Sequence, residues 1–166
     1  MAKIDPLSAS EDDFWRALMR IILSLPRRLD GDLARELGIT ANQYIALMCL
    51  SEAPNHELRM ADLAGKAALS ASRMTRLVDD LQTRGFVTRR ASSDDGRGYV
   101  AKLAPAGMAK LKEAWPVHLA SVRERVFDHI DPSTVATAAQ ALSAVAGTLE
   151  ARPAKSSPWS EALEQP

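Results

Sequence analysis

The middle third of the sequence constrains the fold most, because its hydrophobic spacing switches there from helical to strand-like. Met74, Leu77, Val78 and Leu81 recur at i, i+3, i+4 and i+7, the single apolar stripe of a helix over Ala71 to Thr83. A shorter helix, from about Met60 to Ala67, precedes it across the tight Leu69-Ser70 connection. Gly85 ends the second helix. Phe86 to Ala91 and Tyr99 to Leu103 then read as short strands around the polar loop Ser92-Ser93-Asp94-Asp95-Gly96-Arg97-Gly98. The expected order is helix, turn, helix, then a hairpin with a long tip.

Charge singles out the same region. Lys and Arg balance Asp and Glu over the whole chain, at 21 each. Residues 1–54 carry six basic and eight acidic residues, residues 55–103 nine and six, and residues 104–166 six and seven. The middle third is the basic third, so contact with nucleic acid is sought there.

The flanks read as helical. Ser8-Ala9-Ser10-Glu11 and Thr40-Ala41-Asn42-Gln43 are capping boxes, and Gly38 closes the helix between them. Phe14, Leu18, Ile21, Ile22, Leu25 and Leu29 lie at helical spacing, with a kink or break expected near Leu25 because of Pro26. Pro105 suits the first turn of a long helix to about His129, with Leu111, Trp115, His118, Leu119, Val122 and Val126 on its apolar side and a kink at Pro116. Asp131-Pro132 starts a last helix carrying Val135, Ala138, Leu142, Val145 and Leu149. Neither helical end is long enough to fold alone, so packing against each other and a second copy is the cheapest burial. Residues 151–166 are rich in Pro and Ser and read as a flexible tail.

Several classes of function have no support. No stretch is long and apolar enough to span a bilayer, and Met1 to Glu11 lack a secretion pattern. Cys49, the single cysteine, suits a reducing compartment and reads as a small core residue. His56, His118 and His129 form no ligand-spaced pair, so no metal site is expected. A glycine-rich phosphate loop, a Gly-x-Ser-x-Gly elbow and paired carboxylates are all missing. The expectation is a cytoplasmic protein that is not an enzyme and needs no cofactor.

The helix over Ala71 to Thr83 carries the candidate chemistry. With its stripe turned inward, the outer face carries Ser72, Arg76, Asp79 and Thr83, flanked by Arg73 and Thr75; the first half is hydroxyl and basic, and the second holds Asp79 and Asp80. Such asymmetry suits a helix entering a major groove by its N-terminal turns. Arg73 and Arg76 reach guanine edges or phosphates; Ser70, Ser72 and Thr75 suit phosphate oxygens. The two carboxylates must then lie farther out or pair with Arg76 and Arg84. At the hairpin tip, Arg97 suits a minor groove, held ready by Asp95, and Arg89 and Arg90 add positive charge on the supporting strand. A plain solvated helix face and a generic surface hairpin would also account for these residues singly.

Taken together, Leu63 to Gly107 resembles the MarR family of bacterial regulators. The family's recognition-helix pattern is matched by Ser72-Arg73-Met74-Thr75-Arg76-Leu77-Val78-Asp79-Asp80-Leu81, then Arg84-Gly85-Phe86-Val87 and Arg89. Its wing signature is matched by Asp95-Gly96-Arg97 and Leu103-Ala104-Pro105-Ala106-Gly107, with Ala104 where Thr is usual. Leu37-Gly38-Ile39-Thr40 with Gln43 and Tyr44 also fits.

The resemblance implies a mainly α fold: a winged helix-turn-helix with a small β-hairpin wing, flanked by N- and C-terminal dimerisation helices. Residues 1–35 and 105–150 would form the helical dimerisation region and residues 36–104 the DNA-binding lobe. It further implies a homodimer on a pseudo-palindromic double-stranded operator, commonly as a repressor, with affinity modulated by a small aromatic or phenolic effector. The effector crevice would draw on Trp15, Met19, Tyr44, Met48, Trp115 and His118, which ordinary core or interface packing would equally explain. The alternative is a winged-helix protein-interaction module with only non-specific affinity for DNA.

Overall fold

The computed structural model describes residues 5–92 and 98–150, and the chain divides after Arg125 into two compact units. The tip of the hairpin, with Asp95 and Arg97, and the tail at 151–166 lie outside the described residues. The first unit runs α1 (Ala9–Leu37), α2 (Ala41–Glu52), β1 (Glu57–Arg59), α3 (Met60–Lys66), α4 (Ala71–Thr83), β2 (Val87–Ala91), β3 (Tyr99–Leu103) and α5 (Pro105–Arg125). The second contains a 3-10 turn at Phe127–His129 and α6 (Pro132–Glu150). This is the mainly helical winged helix-turn-helix that the sequence predicts.

Both capping boxes form. The Ser8 N–H donates to Glu11 Oε2 at 2.7 Å, and the Thr40 N–H donates to Gln43 Oε1 at 2.7 Å. Gly38 ends α1 in the left-handed region, at φ 65°, with its N–H on the Ala34 carbonyl. The expected break near Leu25 is not present: α1 is continuous through Pro26. Proline removes one N–H from the helix ladder, but here the surrounding turn, Ile21 to Leu23, is exposed, so water can satisfy the freed carbonyl. Helix α5 likewise runs on through Pro116.

The main core forms around α2, which is buried on most sides. Ala46, Leu47, Cys49 and Leu50 pack with Leu63 and Ala64 of α3, Met74, Val78 and Leu81 of α4, and Val87, Ala101 and Leu103 of the sheet. Each large aliphatic side chain buried here contributes about 2 kcal/mol of transfer free energy, which fixes α4 with its apolar stripe inward. Burial pushes the Cys49 thiol pKa up.

The sheet is antiparallel, in the order β1-β3-β2. Arg89 lies opposite Ala101 and Arg90 opposite Val100. Strand β1, which pairs Leu58 with Ala101, was not legible in the sequence, because three residues are too few to establish a period of two.

Helix α5 corrects the sequence reading in its length. It ends at Arg125 rather than near His129, because Val126 leaves the helical region at φ −129°, ψ −67°. Its fully buried positions are Gly107, Ala114 and Ser121; of the expected apolar side, Leu111 and His118 are half-buried against the core, while Trp115 and Leu119 are exposed. Small residues seven apart let the backbone of α5 approach its neighbours closely. A Cβ on Gly107 would lie 2.1 Å from the Phe86 carbonyl oxygen. That explains why glycine stands at this position.

A buried carboxylate joins α1 to α5. Asp32 Oδ2 accepts from Ser121 Oγ at 2.6 Å and from Arg125 Nη2 at 2.6 Å, while its Oδ1 accepts from Arg35 Nη2 at 2.8 Å. The Ser121 hydrogen bond, then the Arg125 guanidinium, hold the Asp32 pKa far below the usual carboxylate range.

Candidate nucleic-acid interface

Ser70 starts α4 as its N-cap, its Oγ accepting the Arg73 N–H at 3.4 Å. With Met74, Val78 and Leu81 fully buried, the opposite face is exposed and carries Ser72, Arg73, Thr75, Arg76 and Asp79. Thr75 Oγ1 donates to the Ala71 carbonyl at 3.0 Å, which leaves its lone pairs free. Ser70 Oγ and Ser72 Oγ lie 3.4 Å apart at the start of the helix.

Arg73 and Arg76 have no ion-pair or hydrogen-bond partner among the described residues. Together with Thr40, Asn42, Gln43, Leu69 and Leu77 they line an open concavity of about 440 Å³. The α2 side of this concavity was missed by sequence reasoning. Its signal is the Thr40–Gln43 capping box, which in the sequence marks a helix start and part of the family pattern but no contact with α4.

Arg84, Arg89, Arg90 and Lys102 of the basic third are engaged. Arg89 Nη1 meets Asp79 Oδ1 at 2.7 Å and its guanidinium lies 5.0 Å from the Tyr99 ring centroid. Arg90 pairs with Glu57 at 3.0 Å, and Lys102 approaches the same carboxylate at 3.9 Å. Asp80 lies 3.9 Å from Arg84 and accepts from Gln43 Nε2 at 2.5 Å. Arg84 was an expected partner; Arg76 was not needed, since Asp79 turns to Arg89. The added positive charge expected of Arg89 and Arg90 is therefore largely compensated. What remains open is the first half of α4, where two bare guanidiniums and three hydroxyls face outward. Guanidiniums and hydroxyls so placed are donors of the kind that anionic oxygens and base-edge acceptors require.

The six residues considered for an effector crevice do not share one surroundings. Tyr44 is buried with its ring 4.4 Å from that of His118, and Met48 packs beside the same small cluster of Leu33, Ile39 and Ala114. Tyr44 Oη and His118 Nδ1 are buried with no hydrogen-bond partner among the described residues. Burial raises the phenol's pKa and lowers that of the imidazole, so both are neutral at pH 7. Trp15 and Met19 lie elsewhere, on an α1 surface shared with Asp12, Arg16 and Arg20, and Trp115 is exposed on α5. No helix of the described residues is long and apolar enough to cross a membrane.

Residues 39–99 match the model of the MarR family. The chain is 31% identical over 85 residues to the HTH-type transcriptional repressor YetL of Bacillus subtilis, an alignment covering 51% of each protein. It is 32% identical over 79 residues to the transcriptional repressor MprA of Escherichia coli, covering 48% of this chain and 45% of that one. The alignments thus span about half the length of these curated relatives. Solved structures match over more of the chain. Sco3205, a MarR family transcriptional regulator from Streptomyces coelicolor in complex with DNA, has a TM-score of 0.83 at 31% identity, covering 93% of this chain and 95% of that one. AbsC, a MarR family transcriptional regulator from the same organism, has a TM-score of 0.81 at 30% identity, covering 90% and 100%.

Proposed function

The chain belongs to the MarR family of transcription regulators, and from that premise we propose that it binds a pseudo-palindromic DNA operator as a homodimer and represses transcription in the cytoplasm. The observation that carries this reading is the division of charge on α4. Arg73 and Arg76 are bare in the half that would enter the major groove, while Asp79 and Asp80 are neutralised in the half that would stay outside. Ser70, Ser72 and Thr75 would add phosphate contacts. Arg89 and Arg90 would take second place, and Arg97, with Asp95, would reach a flanking minor groove.

Dimerisation would use residues 1–35 and 105–150, leaving 36–104 as the DNA-binding lobe. The support is apolar exposure on each element taken by itself. Helix α1 leaves Phe14, Trp15, Ile21 and Ile22 exposed, and α6 leaves Leu142, Val145 and Leu149 exposed. Faces of this kind mark association surfaces.

A small aromatic or phenolic effector would lower the affinity for DNA. Tyr44 and His118 support such a site, since two buried polar atoms without partners leave hydrogen-bonding capacity for a guest beside an aromatic pair. A protein-docking module would not need exposed guanidiniums in a hydroxyl-rich helix start.

The test is binding of the full chain to duplexes from a randomised pool, followed over a range of salt. A sequence preference is expected, with log affinity falling against log salt by roughly 0.9 per phosphate contact. Binding with no sequence preference would leave the protein-module reading in its place.

A further inference from the structure

Gln43 stands where two helices of the DNA-binding lobe meet. The residue is only 8% exposed, and both ends of its carboxamide are engaged. Its Oε1 accepts the Thr40 N–H at 2.7 Å and lies 3.5 Å from Arg84 Nη1. Its Nε2 donates to Asp80 Oδ2 at 2.5 Å. The first of these contacts closes the capping box of α2; the other two grip the C-terminal half of α4. The same first turn of α2 is tied to α1, because the Ala41 N–H donates to Asp30 Oδ1 at 2.8 Å.

A capping box needs only an acceptor at this position, and glutamate serves it as well as glutamine. What glutamine adds is a donor, and the donor is directed to α4. Asp80 follows Arg76 by four residues and Arg73 by seven, so all three lie on one side of the helix. A rotation of α4 about its axis that broke the Gln43–Asp80 bond would swing both guanidiniums. Gln43, Arg73 and Arg76 also line the same concavity.

We infer that Gln43 is a positioning residue for DNA reading: its amide N–H, through Asp80, fixes α4 against α2 and so sets where Arg73 and Arg76 stand. The inference rests on the DNA-binding reading above.

The experiment measures discrimination, the ratio of affinities for a duplex enriched by the parent protein from a randomised pool and for a shuffled duplex of equal length and composition. Gln43→Glu keeps the capping acceptor and loses the donor. Combining it with Asp80→Asn reverses the direction of the hydrogen bond, and the double variant has the parent's formal charge. Discrimination is expected to fall about tenfold in Gln43→Glu, the scale of one charge-assisted hydrogen bond, and to return to within about twofold of the parent in the double variant. Partial loss of folded protein would lower both affinities together and leave the ratio unmoved.

Asp80→Ala provides a second route, because it removes the acceptor from a side chain that is 54% exposed; it too should lose discrimination. An unchanged ratio in Gln43→Glu or Asp80→Ala, or a double variant no better than Gln43→Glu alone, would overturn the inference while leaving DNA binding intact. A parent protein that enriches no sequence would overturn the DNA-binding reading itself, and this inference with it.

Discussion

Charges are handled in opposite ways at the α1–α5 junction and on the first half of α4. At the junction, Asp32 is 10% exposed and takes hydrogen bonds from Ser121, Arg125 and Arg35. On α4, Arg73 and Arg76 are exposed and without partners among the described residues. A saturated buried charge fixes how two helices meet and has nothing left for a partner. An unsaturated exposed charge adds nothing to the fold and is available to a phosphate or a base. Sequence counts treat these ionised groups alike; the structure separates those that hold the protein together from those that can reach outside it.

The largest expected effect comes from breaking the saturated site. Asp32→Ala leaves Ser121 without its acceptor and Arg125 without its countercharge. A buried pair broken on one side costs several kcal/mol. Because Arg125 is 26% exposed and can turn partly to water, we expect about 3 kcal/mol, the low end of that range. Urea denaturation at pH 7 measures it, and a loss below about 1 kcal/mol would place Asp32 among ordinary surface pairs.

The same site has a pH signature. The Asp32 pKa is depressed in the folded state, so the unfolded chain binds the proton more readily. The stabilisation is therefore complete above the unfolded carboxylate pKa of about 3.9 and is lost as pH falls below it. The stability difference between the parent and Asp32→Asn should stay constant from pH 7 to about pH 5 and shrink toward pH 3. A difference that grows on acidification would contradict the sign of the shift.

The unsaturated site should respond in the other observable. Arg73→Ala and Arg76→Ala should leave the urea midpoint within error of the parent, since neither side chain holds anything in the fold. If either contacts a base edge, its loss should weaken binding to the enriched duplex by about 1–3 kcal/mol and relax preference at one position of each half-site. Unaltered affinity in both variants would remove α4 as the reading element.

These two regions also differ in how far the sequence revealed them. The stripe Met74, Leu77, Val78, Leu81 implies which side of α4 faces out, so Arg73 and Arg76 could be named from spacing alone. Asp32 could not, because its partners Ser121 and Arg125 are 89 and 93 residues away and no local pattern encodes such a pairing. The small buried residues of α5 escape the sequence pattern for a related reason. Periodicity favours large apolar residues, whereas close helix packing selects Gly107, Ala114 and Ser121. Gln43 was visible as half of a capping box, but its second contact depends on a helix 37 residues on. Local rules found the elements, and the contacts between elements had to come from the structure.

Arg90 gives the smallest expected effect and the sharpest check on the distinction between engaged and open charges. It belongs to the basic third and stands on the strand that supports the wing, so composition alone would count it with Arg73 and Arg76. Its guanidinium instead meets Glu57 at 3.0 Å across the sheet, where Lys102 also approaches the carboxylate. The pair is partly exposed, and such pairs contribute about 0–1 kcal/mol, so Arg90→Ala should barely move the urea midpoint. If the pairing with Glu57 persists on DNA, Arg90 neutralises no phosphate. The slope of log affinity against log salt should then match the parent's, with affinity changed less than about twofold. If Arg90 leaves Glu57 for a phosphate, the slope should drop by about 0.9, the value for one contact. Glu57→Gln separates the two cases from the other side. Weakening Arg90's partner should strengthen non-specific binding if the pair restrains Arg90, and should do nothing if Arg90 already faces DNA. A full unit of slope lost in Arg90→Ala, with no gain in Glu57→Gln, would move Arg90 from the engaged set to the open one. The boundary between those sets would then be fixed by the bound DNA, and the free protein's ion pairs would no longer identify it.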